Sequence, residues 1–155
     1  MQYLIFTIDD TLYAVDVFHI QEVVSYVPPQ QVPCPDPVIA GILSSRGKSV
    51  SVVDFRKKFA LPEIVYTKLN KIIVLDAISS RYGAQVQFGA IVDSVQEVLA
   101  LEESSVEDTP ELGHSIATRF IKSVAKKDDR FIFILNVDNI FTFEELETIA
   151  QAKGE

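Results

Sequence analysis

The sequence predicts a mainly β protein built from small barrels, on three observations. Short apolar runs rich in β-branched and aromatic residues, bounded by turn residues, fill most of the chain. There are about nine or ten such runs against one or two helical segments. Strands and helices show no sustained alternation, which excludes a doubly wound nucleotide-binding sheet. Ten strands exceed what one small barrel needs and point to two barrels side by side.

Tyr3 to Ile8 and Thr11 to Val15 read as a hairpin turning on Asp9-Asp10, whose carboxylates are expected to be solvated turn groups rather than a catalytic acid and base. His19 to Tyr26 fits either a strand or a short helix. Pro28, Pro29, Pro33, Pro35 and Pro37 crowd ten residues and predict an extended connection, a rigid loop in preference to a ligand for a polyproline-binding domain. Val50 to Phe55 is a strand entered through Gly47 and left through Arg56-Lys57-Lys58. Lys71 to Ile78 is a nearly continuous apolar run, as in a strand buried on both faces. After a turn at Ser79 to Gly83, Gln85 to Val92 alternates and predicts one solvated face. Asp93-Ser94 separates it from a strand over Val95 to Leu101.

Glu102 to Glu111 then carries five acidic residues in ten, suited to a loop, the first turn of a helix or an interaction tail. Phe120 to Ala125 and Phe131 to Val137 flank the charged turn Lys126 to Arg130. Thr142 to Lys153 predicts a helix, with Thr142 and Glu145 spaced as a capping box and Leu146, Ile149 and Ala150 as its buried stripe.

At 155 residues and a net charge of −8, the chain suits neither general nucleic-acid binding nor docking to an anionic membrane. The single cysteine, Cys34, forms neither an internal disulfide nor a structural zinc site. The opening MQYLIFTID lacks a signal-peptide pattern and no run approaches a membrane span, so a cytoplasmic protein is expected. His19 and His114 are the only imidazoles, and neither has metal-ligand spacing; His19 reads as a half-buried strand residue. No glycine-rich phosphate cradle and no nucleophile elbow is present. Ser44, Ser45 and Ser49 lie near Arg46 and Lys48, either an anion site or an ordinary turn with two exposed cations. No enzyme, cofactor or metal is expected.

The segment Gly41 to Phe59, GILSSRGKSVSVVDFRKKF, resembles the signature of CheW-like proteins, with Gly41, Arg46, Gly47, Val50, Val52, Val53, Asp54, Arg56 and Phe59 in register. FTIDDTLYAVDVFHIQEVV, FGAIVDSVQEVLALEESSVEDTP and FIKSVAKKDDRFIFILNVDNIFTFEEL are similar to three further blocks of that family in the right order. Three departures stand out: Ser44 and Ser45 replace the usual Asn-Leu, Ser51 a proline, and Phe55 a leucine.

The resemblance implies two SH3-like five-stranded barrels around a shared hydrophobic core, approximately 1–75 and 76–155, with a short C-terminal helix. It also implies a non-catalytic adaptor that bridges the cytoplasmic tips of methyl-accepting chemoreceptors to the regulatory domain of a CheA-type histidine kinase and helps build arrays at the inner membrane. A groove between barrels would accept a receptor helix, with Val23, Val24, Ile42 and Leu43 as its walls. Arg46 would offer its fork to a partner carboxylate or tie its loop to neighbouring carbonyls, and Glu22 would join the interface. Asp54 and Arg56 would pair with each other or across the turn, and Gly41 and Gly47 would serve backbone geometry. CheA and CheV carry this module beside other domains; Met1 and the polar QAKGE ending lead us to expect a stand-alone adaptor. The competing readings are a CheW-like module in a non-motility pathway, a small β-barrel ligand-binding protein, and an OB-type nucleic-acid binder that the acidic balance opposes.

Overall fold

The computed structural model describes residues 1–33, 36–78, 85–101, 106–108 (backbone only) and 120–140. Eleven strands run through the described residues: β1 (Gln2–Ile8), β2 (Thr11–Asp16), β3 (Ile20–Ser25), β4 (Ile39–Ser45), β5 (Lys48–Asp54), β6 (Lys71–Ile78), β7 (Gln85–Val92), β8 (Ser94–Ala100), β9 (Val106–Asp108), β10 (Ile121–Lys127) and β11 (Arg130–Leu135). One four-residue helix, α1 (Phe55–Lys58), follows β5. The strands form a six-stranded sheet in the order β8-β1-β2-β11-β10-β9 and a five-stranded sheet in the order β3-β6-β7-β5-β4. The mainly β fold expected from the sequence is therefore the one that forms. Residue 75 lies within β6. The five-stranded sheet takes the continuous stretch 20–92, and the six-stranded sheet joins 2–16 to 94–135.

Three hairpins close through two-residue turns, at Asp9-Asp10 (φ 53° and 63°), Arg46-Gly47 (53° and 77°) and Asp128-Asp129 (51° and 65°). Positive φ at both central positions is the type I′ geometry that matches strand twist. Aspartate tolerates it because its short carboxylate can bond locally.

Period-two alternation distributes side chains between two kinds of core. Leu4, Phe6 and Ile8 of β1 join Val53, Ile73, Leu75 and Phe88 of the other sheet in one shared cluster. Tyr3 and Ile5, the alternate β1 positions, pack with Ala14, Ala125, Ile132 and Ile134 under their own sheet. Val52, Ile72 and Ile91 form the corresponding cluster under the five-stranded sheet. Phe6, Phe55 and Phe88 are fully buried, each adding about 2–3 kcal/mol from area removed from water.

Several local expectations are corrected. Only the first residues of β7 alternate; from Phe88 onward it is buried on both faces, because Phe88, Ala90 and Val92 enter the shared core and Ile91 packs with Val52 and Ile72 on the other side. Phe55 leaves its strand, because the Asp54 side chain accepts from the Arg56 and Lys57 amides at 3.0 and 3.2 Å and caps α1. His19 to Tyr26 divides: Asp16 caps a 3-10 turn over Val17–His19, and β3 starts at Ile20. Part of the acidic stretch is strand β9, paired with β10. Cys34, His114, the turn at 79–83 and the helix expected at 142–153 lie outside the described residues.

Candidate functional site

β3 and β4 are the two edges of the five-stranded sheet, yet their side chains meet. Ser45 Oγ, at the end of β4, donates to Glu22 Oε1 on β3 at 2.5 Å. Arg46 Nε lies 3.5 Å from Glu22 Oε2, and Arg46 Nη2 donates to the Gln21 carbonyl at 3.4 Å. The sheet thus curls until polar side chains bridge its free edges, with Val24 and Leu43 packed inside against Val52, Ile72 and Ile91.

The short contact is the strong one. A hydroxyl on a carboxylate at this distance is a charge-assisted hydrogen bond, and Ser45 is 7% exposed. Both Arg46 contacts are long, and its side chain keeps 65% of its surface exposed, so they contribute under about 1 kcal/mol. The guanidinium thus reaches from the β4–β5 turn to β3 through two long contacts.

Two glycines make this edge buildable. Gly47 supplies the second positive φ of the β4–β5 turn. Gly41 has φ 151°, and a Cβ there would sit 2.3 Å from the Gln30 carbonyl oxygen. That approach lets Gln30 and Ile42 exchange backbone hydrogen bonds of 2.9 and 2.8 Å, so the proline-rich segment covers part of the β4 edge.

Val23, Val24, Ile42 and Leu43 do not form one wall. Val24 and Leu43 face the sheet's inner cluster. Val23 pairs with Ile73 and Ile42 with Ser51, on the opposite face. Strand neighbours point to opposite faces, so no run of consecutive strand residues lines a groove. Val23, 39% exposed, is the most accessible of these valines.

Asp54 and Arg56 do not pair through their side chains. Asp54 Oδ1 caps α1 and accepts from the Tyr66 hydroxyl at 2.7 Å. Burial, then the Asp54 hydrogen bond, pushes the Tyr66 phenol well above its usual range. Arg56 crosses to Asp93, its Nε and Nη2 donating to Oδ1 and Oδ2 at 3.1 and 2.5 Å, and its Nη1 donating to the Pro62 carbonyl at 2.7 Å. Hydrogen bonds donated to Asp93 hold the guanidinium protonated beyond its usual range, against the opposing pull of desolvation. Asp93 also accepts from the Asp9 amide at 2.8 Å, and Asp9 Oδ1 lies 3.5 Å from Arg56 Nη1. Arg56, after β5, therefore clamps the β7–β8 junction and the β1–β2 turn, joining the two sheets. Sequence reasoning missed Asp93 because an acid between two strands carries the same signal as a solvated turn residue.

Elsewhere, His19 Nδ1 bonds the Asp76 carbonyl at 2.9 Å and anchors its turn on β6. A cleft of about 400 Å³ opens between the proline-rich segment and α1, lined by Tyr26, Pro28, Asp36, Lys57 and Tyr66 among others. No group of three or more His, Cys, Asp or Glu among the described residues is placed to hold a metal ion. No helix among them is long and apolar enough to cross a membrane.

Two curled sheets around a shared core, bolted by a buried arginine and carrying a charged seam on an edge, define a small double-sheet β module. The CheW-like domain family model matches residues 2–145. The chain belongs to the CheW-like family. It is 26% identical over 148 residues to the chemotaxis protein CheW of Klebsiella aerogenes, covering 96% of this chain and 86% of that one. It is 27% identical over 145 residues to the chemotaxis protein CheW of Bacillus subtilis, covering 94% and 89%. The crystal structure of the scaffolding protein TtCheW from Thermoanaerobacter tengcongensis superposes with a TM-score of 0.78 at 31% identity, covering 90% of this chain and 91% of that one.

Proposed function

We propose that this chain is a non-catalytic chemotaxis adaptor that couples the cytoplasmic tips of methyl-accepting chemoreceptors to the regulatory domain of a CheA-type histidine kinase. It works in the cytoplasm, in receptor arrays at the inner membrane, with no cofactor. The observation that carries the reading is a family match across residues 2–145, supported by near full-length likeness to proteins named for chemotaxis and scaffolding.

The seam supplies the physical basis for docking. Arg46 presents a planar multi-donor fork on a tight turn, and Glu22 lies beside it with a quarter of its side chain exposed. Val23 adds apolar surface on the same edge strand. The test is reconstitution: membranes bearing receptor, the kinase and this protein are combined, and receptor-controlled phosphate transfer is followed. The adaptor reading expects receptor control only when this protein is present. Control that is equal without it would contradict the reading.

A further inference from the structure

We propose that Ser45 is a positioning residue for the partner-binding seam: its hydroxyl holds one oxygen of Glu22 and so leaves the Arg46 fork free for a carboxylate of the partner. This rests on the adaptor reading above and adds both a residue and the chemistry of the contact.

The geometry divides the Glu22 carboxylate between two donors. Oε1 takes the Ser45 hydroxyl at 2.5 Å, and Oε2 is left 3.5 Å from Arg46 Nε. A carboxylate free to rotate would meet a neighbouring guanidinium through two parallel hydrogen bonds, the arrangement both groups favour. That arrangement is not adopted here. Ser45 is buried and its backbone is fixed by pairing with Lys48, so its hydroxyl is a rigid donor. Arg46 is the first residue of the hairpin turn, at φ 53°, and reaches β3 only through the long contacts to Glu22 and the Gln21 carbonyl. The outcome is a charged fork bound weakly to its own domain and 65% exposed. Such a fork selects a carboxylate over other partner groups because two N–H donors match two oxygens.

The experiment compares native protein with Ser45→Ala and Ser45→Thr, each first checked for a native circular-dichroism spectrum and melting transition. Two readouts are taken. One is hydrogen exchange of the Arg46 side-chain Nε–H by NMR on the protein alone. The other is affinity for the regulatory domain of the CheA-type kinase from the same organism. In Ser45→Ala, Glu22 is released to pair with Arg46, so Nε–H exchange slows and affinity falls about fivefold, the worth of one exposed charged contact. Ser45→Thr keeps the hydroxyl and keeps both native values. Unchanged exchange in a folded Ser45→Ala overturns the proposal, as does slowed exchange with unchanged affinity. If the native protein itself binds neither the kinase domain nor receptor, the adaptor reading fails and this proposal fails with it, an outcome distinct from failure in the variant alone.

Discussion

Asp93→Ala removes the acceptor from the most buried ion pair in the described structure. Arg56 has 6% of its side chain exposed and would lose the 3.1 and 2.5 Å hydrogen bonds, keeping only the Pro62 carbonyl and the distant Asp9. Stranding one member of a buried pair costs about 3–5 kcal/mol. Asp93 is itself 22% exposed, so water reaches the vacated space and the lower end, about 3 kcal/mol, applies. Urea unfolding measures this directly. With a slope of about 2 kcal/mol per molar, the midpoint falls by about 1.5 M. Asp9→Asn is the control, since Asp9 lies 3.5 Å away with 46% of its side chain exposed and asparagine tolerates its positive φ. It should cost under about 1 kcal/mol. Equal small shifts in the two variants would show that the Arg56 clamp does not join the sheets as argued.

Two further outcomes follow from backbone and burial. Gly41→Ala drives a Cβ into the Gln30 carbonyl and costs about 3 kcal/mol, whereas Gly47→Ala meets open space and costs about 1 kcal/mol for its positive φ; paired thermal melts compare them. Half-buried Tyr66 and Tyr13 have phenols raised above 10, by burial first and by nearby carboxylates second, so the unfolded chain releases their protons before the folded one. Stability is therefore full below about pH 10 and declines as pH rises toward the folded values. Tyr66→Phe removes one such contribution and flattens the alkaline limb of urea stability against pH; an unchanged limb would mean that Tyr66 is not protected by burial.

The strands were readable wherever side chains repeat at period two and local turn chemistry brackets them, as at Tyr3 to Ile8 around Asp9-Asp10. What was not readable depends on long-range placement. Gln85 to Val92 looks half-solvated on its own, and most of it is buried because hydrophobic clusters pack on both of its faces. The sheets interleave the chain, because β8 returns to pair with β1 across about ninety residues, and no local signal marks that return. At the site, the resemblance to CheW-like proteins marked Glu22 and Arg46 as candidates, but only the curl of the sheet brings β3 and β4 together. Ser45 stands in the sequence only as a departure from a family pattern, because the contact of its hydroxyl with Glu22 spans two strands that are far apart in the sheet order.

The most direct test of the adaptor account is calorimetric titration of the native protein with the regulatory domain of the CheA-type kinase from the same organism, repeated with folded Arg46→Ala and Glu22→Ala. The account predicts saturable one-to-one binding by the native protein, weakened in at least one of the two variants. Absence of binding at concentrations well above cellular levels, or identical binding by all three proteins, would contradict it.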